Sequence, residues 1–200
     1  MYEFTDKAIE RINRVIQHEF SNMRRSILAF DNIYAVQNAV NGAYSAILTA
    51  VKKIYLEIAN DAYKAVTERD GGFSMMWLEM FLLDYDPLTK YVFTHEYDRK
   101  RARTFEALVA SKKKDVSQEI KQAMVNLAIQ TKQYADEITD TATLQGYKDS
   151  GVERVVWVTE QDGRVCRECE SRQGRTYDVN KVPVKPHIRC RCYLLPTKTP

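Results

Sequence analysis

Between Lys7 and Phe30 the apolar residues Ile9, Ile12, Ile16, Phe20, Met23, Ile27 and Phe30 recur at intervals of three and four, the spacing of one face of an α-helix. Thr5 and Asp6 precede them as candidate N-caps. After Asp31 and Asn32 the rhythm resumes at Val36, Val40, Ala43, Ile47, Val51, Ile54, Ile58 and Ala62, and Asp70-Gly71-Gly72 stop it. Unbroken, this second helix is about 50 Å long at roughly 1.5 Å per residue. Ala35, Ala39, Ala43, Ala46 and Ala50 form a stripe of small residues along it that admits a close neighbour, and Gly42 is either another small contact or a kink. Phe73 to Leu83 is apolar on all sides, so as a helix it must be buried or covered by a partner. Its Met76, Trp77, Met80 and Phe81 are the candidate protein interface, with burial inside the domain as the competing explanation.

Asp86-Pro87 reads as an N-cap followed by proline at the first helical position, opening a helix-compatible stretch from Leu88 to Ala110. A last long run, Val116, Ile120, Ala123, Leu127, Thr131, Tyr134, Ile138 and Leu144, ends near Gly146. Four or five helices of this kind predict a mainly α protein whose N-terminal part, residues 1–150, is an elongated antiparallel bundle. Beyond Gly151 the pattern changes. Arg154 to Thr159 is β-branched and aromatic, Gln161-Asp162-Gly163 is turn chemistry, and 175–177 and 192–195 are further short strand candidates. Residues 151–200 are therefore expected to form a small α+β module, too small to bury a sufficient core without a metal or a docking surface.

Composition sharpens this division. The 200-residue chain is 44% hydrophobic and 28% charged, an ordinary globular balance, with a formal charge of +3. Residues 151–200 hold ten Lys and Arg against six Asp and Glu, so the positive charge lies there and the first 150 residues are close to neutral. All four cysteines and four of the five prolines are also beyond residue 150. Glu3 and Asp6 interrupt any secretory apolar run, and Phe73 to Leu83 is far short of the roughly 20 residues of a membrane span. A reducing compartment and no membrane association are the expectations.

Cys166-Arg-Glu-Cys169 is followed after seventeen residues by His187-Ile-Arg-Cys190-Arg-Cys192. Two short chelating knuckles at this separation can converge on one tetrahedral ion, and thiolate with imidazole suits Zn²⁺. Five candidates compete for four positions: Cys166, Cys169, His187 and Cys190 are the preferred set, with Cys192 as the alternative to Cys190. Two disulfides are the competing reading, disfavoured where no secretory segment is seen. Four protein ligands make the site structural, with no open position for water. His95-Glu96 lacks the second histidine of a zinc protease, since position 99 is Arg99, and His18 lies among polar residues. No phosphate loop or nucleophile set occurs, so no catalytic residue is assigned.

The run Trp157-Val-Thr, Asp162-Gly-Arg164-Val-Cys166-x-x-Cys169, Gly174 before Tyr177, then His187-x-x-Cys190-Arg191-Cys192 and Pro196 resembles the phage Mu F-like head morphogenesis family, the minor capsid proteins of tailed phages. The likeness covers residues 151–196 and extends weakly upstream to Gln145-Gly146-Tyr147. The family usually has proline directly after the histidine, whereas here Ile188 takes that place and Pro186 precedes His187. The resemblance implies a non-enzymatic virion component, assembled in the host cytoplasm. It would associate with the portal or other capsid proteins near the portal and assist head assembly or DNA packaging and delivery. Independently of that, Arg164, Arg167, Arg172, Arg175, Lys181, Lys185, Arg189 and Arg191 surround the ligand segments. They give an alternative reading in which the module contacts DNA, with Arg164, Arg167, Arg189 and Arg191 as candidate contacts, or an acidic partner. Association of the helical part with a second copy is a further expectation. An effector enzyme fused to such a module would need an additional His/Glu/Lys cluster, which the sequence does not display.

Overall fold

The helix periodicity is realised in a computed structural model that describes residues 3–29, 32–111, 116–160, 163–187 and 190–197. The helices are α1 (Glu3–Ala29), α2 (Ile33–Thr67), α3 (Met75–Leu83), α4 (Phe93–Ala110), α5 (Val116–Asp149) and α6 (Arg167–Arg172), and the strands are β1 (Tyr85–Asp86), β2 (Tyr91–Val92), β3 (Arg154–Val158), β4 (Thr176–Asp178) and β5 (Tyr193–Pro196). The protein is mainly α, with a small strand-containing region at its C-terminal end.

The four long helices run up, down, up and down. Arg11 of α1 bonds Glu57 of α2, Tyr44 of α2 bonds Thr104 of α4, and Phe93 of α4 packs edge-on against Tyr134 of α5. Each periodic position of α1 from Ile9 to Ile27 is buried, and most of the periodic face of α2 and α5 joins it in one continuous core. At about 25 cal/mol per Å² of apolar surface removed from water, this core is the dominant favourable contribution to the fold. Two of its buried tyrosines have satisfied hydroxyls: Tyr55 donates to Thr131 O at 2.7 Å, and Tyr97 donates to Tyr44 O at 2.7 Å.

Several boundaries differ from the expectation. Helix α1 begins at Glu3, so Thr5 and Asp6 are inside it, and Thr5 is buried with its hydroxyl 3.1 Å from that of Thr139. Asp86-Pro87 does not open a helix. The Asp86 carboxylate instead accepts from Leu88 N (2.8 Å), Thr89 N (3.2 Å) and the Thr89 hydroxyl (2.5 Å), closing the turn that joins β1 to β2. Helix α4 therefore starts only at Phe93. Phe30, the last position of the first periodic run, Asp31 and the basic run 112–114 lie outside the described residues.

Gly146 does not end α5, which continues to Asp149. The helix is stopped by Gly151 in the left-handed region (φ 76°), with Val152 N bonding Tyr147 O at 2.9 Å and Gly151 N bonding Lys148 O at 3.0 Å. This pair of bonds is the Schellman arrangement, which needs glycine where a Cβ would clash. Gly146 is where α5 touches α2, since a Cβ there would overlap Val66 Cγ2 and approach Thr67 Cγ2 at 3.1 Å. Gly146→Ala is expected to cost about 1–3 kcal/mol of stability by overpacking, measurable by urea denaturation. Gly42 makes neither a contact nor a break, because α2 runs through it and no atom lies within 4 Å of its added Cβ. Gly42→Ala should raise stability by about 0.5–1 kcal/mol through helix propensity alone.

Helix α3 divides its apolar surface. Leu78 and Leu82 are buried, Trp77 and Phe81 are half-buried in a ring ladder with Phe73, and Met76 and Met80 are exposed. Of the four candidate interface residues, the two methionines are thus available to a partner and the two aromatics largely serve the bundle.

The C-terminal region is an antiparallel sheet ordered β4-β3-β5, with Trp157 of the central strand opposite Leu194. It sits at the end where α2 and α5 finish. Val155 and Val179 pack on Tyr147 beside Val66 and Leu144, and the Tyr147 hydroxyl donates to Leu194 O at 3.3 Å. Lys185 pairs with Asp140 of α5 at 2.6 Å. No helix among the described residues is long and apolar enough to cross a membrane.

Candidate metal centre

The first knuckle is shaped by the start of α6. Cys166 caps this helix, its thiol accepting from Cys169 N at 3.4 Å, and Glu170 N bonds Cys166 O at 2.9 Å. The short helical turn puts both sulfurs of Cys-x2-Cys on one side. The second group arrives on the approach to β5, where Cys190 and Cys192 are buried against Trp157 and Cys169, with Cys166, Val165, Tyr177 and Leu194 around them. His187 is exposed, with Nε2 3.4 Å from Cys169 Sγ, and Cys190 Sγ is 3.5 Å from the same sulfur. All four cysteines are free thiols.

The ligand atoms form two triads, Cys166, Cys169 and His187, and Cys169, Cys190 and Cys192, each within 4.8 Å. Cys169 belongs to both. Five side chains from two segments therefore form two groups joined at Cys169, and the cluster can hold a metal ion. Cys190 and Cys192, the preferred and the alternative ligand, both lie in the triad with Cys169. Ile188 and Arg189, including the departure from the family pattern and one candidate DNA contact, lie outside the described residues.

The thiols of the cluster differ in their electrostatics. The backbone N–H of Cys169, and after it the Cys169 side chain and the backbone N–H of Glu168, hold the Cys166 thiol below its ordinary pKa, whereas burial pushes the thiols of Cys169 and Cys190 up. A bound cation would reverse the burial effect, because a coordinating thiol is deprotonated outright.

Two residues read from sequence as generic basic surface have defined structural tasks. Arg172 of α6 donates to Val184 O at 2.8 Å and to Glu168 at 2.7 Å, and its guanidinium lies 5.0 Å from the Trp157 ring. It ties the first knuckle to the loop that carries His187. Lys185, besides pairing with Asp140, donates to Cys190 O at 3.4 Å, linking the second knuckle to the bundle. No spacing rule in the sequence marks either role. Arg164 and Arg167 are exposed beside Cys166, and Arg191 is half-buried. No family model, curated protein or solved structure matches the chain.

Proposed function

We propose that this chain is a non-enzymatic minor capsid or head morphogenesis protein of a tailed phage or prophage, in which zinc pins the C-terminal module. The long helices pack on a portal protein, another capsid protein or a second copy, and the protein resides in the virion near the portal after assembly in the host cytoplasm. The observation that carries this reading is the meeting of the two knuckles at Cys169, which is grouped with Cys166 and His187 on one side and with Cys190 and Cys192 on the other. These are the residues on which the resemblance to the head morphogenesis family rests.

Zinc is supported by the donor set and the spacing. In a tetrahedral site with Zn–S near about 2.3 Å and Zn–N near about 2.0 Å, ligand atoms are about 3.8 Å (S to S) and about 3.5 Å (S to N) apart. The distances of 3.5 Å between Cys169 and Cys190 and 3.4 Å between Cys169 and His187 fit those edges. Four protein ligands would close the site, making its contribution structural. Tagged protein followed through an infection or prophage induction should appear in purified proheads and virions in few copies and cross-link to the portal. Its absence from both particles would reject the assignment.

A second reading, contact with packaged or entering DNA, is favoured by the exposure of Arg164 and Arg167 on either side of Cys166. Duplex binding that weakens steeply with salt and is lost in the Arg164→Ala, Arg167→Ala double variant would support it. No binding at about 50 mM salt would reject it.

A further inference from the structure

We infer that the cleft between the helical bundle and the C-terminal module binds an organic cation on an apolar stem: an alkylammonium or alkylguanidinium group, free or at the end of a side chain offered by another protein. This inference is independent of the virion assignment and of the identity of the metal.

The cleft encloses about 310 Å³ between the C-terminal end of α3, the β1–β2 turn, the middle of α5 and the two stretches 182–185 and 192–194. That volume is at the lower end for small-ligand sites and admits a stem of few carbons. Phe81, Leu88, Leu144, Val182 and Leu194 supply apolar walls, whereas Asp84, Asp86, Glu137 and Asp140 supply carboxyl groups. Among the described residues Lys185 is the one cation in the lining, and it is committed to Asp140 at 2.6 Å. The Asp86 carboxylate is held by neutral donors, Leu88, Thr89 and Gln133, which satisfy its lone pairs without cancelling its charge. Glu137 accepts from Gln133 Nε2 at 3.1 Å and, when protonated, is held by the neighbouring Asp86 carboxylate.

A second feature of the lining is independent of the acids. Tyr134 is buried at 2% exposure, lines the same cleft, and its hydroxyl has no partner of full hydrogen-bond geometry, the Thr89 side chain being a neighbour that acts on it only weakly. An unpaired phenol is a costly group to bury. An ammonium or guanidinium N–H would supply what its oxygen lacks, and the ring face can add a cation–π attraction. Phosphates and carboxylates are excluded by the same acidic lining. The protonation of Glu137 agrees with the geometry: burial raises its pKa to about 8, with hydrogen bonding and charge from Asp86 and the charge of Asp140 adding to it. The charged groups around it are Asp86 from the turn, Asp84 from the end of α3, Asp136 and Asp140 on α5, Lys132 pairing with Asp136, and Lys185 pairing with Asp140. An incoming cation would displace the proton held by Glu137.

Calorimetry of the full chain at pH 7 with hexylguanidinium, hexanol and hexanoate tests this. The cation should bind with Kd below about 1 mM, the alcohol at least about tenfold more weakly, and the carboxylate not measurably. The heat should depend on the buffer, because a proton leaves Glu137. Glu137→Gln, an isosteric change, should weaken the cation about tenfold and remove the buffer dependence. Tyr134→Phe, which keeps the ring, should weaken it less. Equal affinity for alcohol and cation, an unaffected Glu137→Gln variant, or no binding at about 10 mM would overturn the inference. Acetyl-Leu-Arg-Leu-amide distinguishes the sources: tighter binding than hexylguanidinium assigns the cation to a partner's side chain, weaker binding to a free amine, and both support cation recognition.

Discussion

Cys169→Ser should abolish metal binding and unfold the C-terminal module while leaving the four long helices in place. Cys169 is the sulfur common to both ligand triads and is 2% exposed, so no rearrangement of its neighbours replaces it. In small zinc domains the binding free energy, on the order of 10 kcal/mol or more, is the folding free energy. Here the module also leans on the bundle through Tyr147 and Lys185, which retains part of its contact but not the cluster beneath Trp157. Metal content should fall from one ion per chain to none, and limited proteolysis should cut within 163–197. The helical circular dichroism should change little, because α1 to α5 contain most of the helix. Paired Cys190→Ser and Cys192→Ser variants then assign the fourth ligand, as the variant that keeps its metal identifies the spare thiol.

Glu137→Gln should flatten the dependence of stability on pH and stabilise the protein at pH 8. Burial raises the Glu137 carboxyl to about 8 in the folded state, whereas an unfolded glutamate titrates near about 4.3. Between those values the native state holds a proton that the unfolded state has released, so stability falls as pH rises. The full contribution is present below the unfolded pKa and is lost through pH 8. The loss is on the order of a few kcal/mol, since each unit of pKa difference corresponds to about 1.4 kcal/mol. Asp136 and Asp140, also raised by burial, act in the same direction. Wild type should therefore gain melting temperature from pH 8 to pH 5.5, and the variant should gain markedly less. Equal pH slopes would show that Glu137 titrates normally.

The long helices were legible because burial on one face imposes a period that the sequence displays directly, as Ile9 to Ile27 show in α1. The clustering of Cys166, Cys169, His187, Cys190 and Cys192 was legible for a similar reason, since chelation restricts both residue type and spacing. Boundaries failed where one chemistry serves two structures. An aspartate before proline can cap a helix or close a turn, and here the Thr89 hydroxyl and the amides of Leu88 and Thr89 engage Asp86 in the turn. Gly146 resembled a stop signal, yet its missing Cβ serves the contact with Val66, information that resides in α2. The cleft was invisible to any local pattern because Asp86, Tyr134, Glu137 and Lys185 come from three distant segments. The one available hint was the polar inward face of α5, where Gln130, Thr131, Gln133, Thr139 and Thr143 interrupt the apolar period and are buried.

The account rests on a metal-pinned module at the end of a self-sufficient helical bundle. Hydrogen exchange of the full chain, metal-loaded and after chelation, tests this most directly. The account predicts that chelation removes protection from β3, β4, β5 and α6 together, and that α1, α2 and α5 keep theirs. Unchanged protection across 154–196 after complete loss of the metal would contradict it.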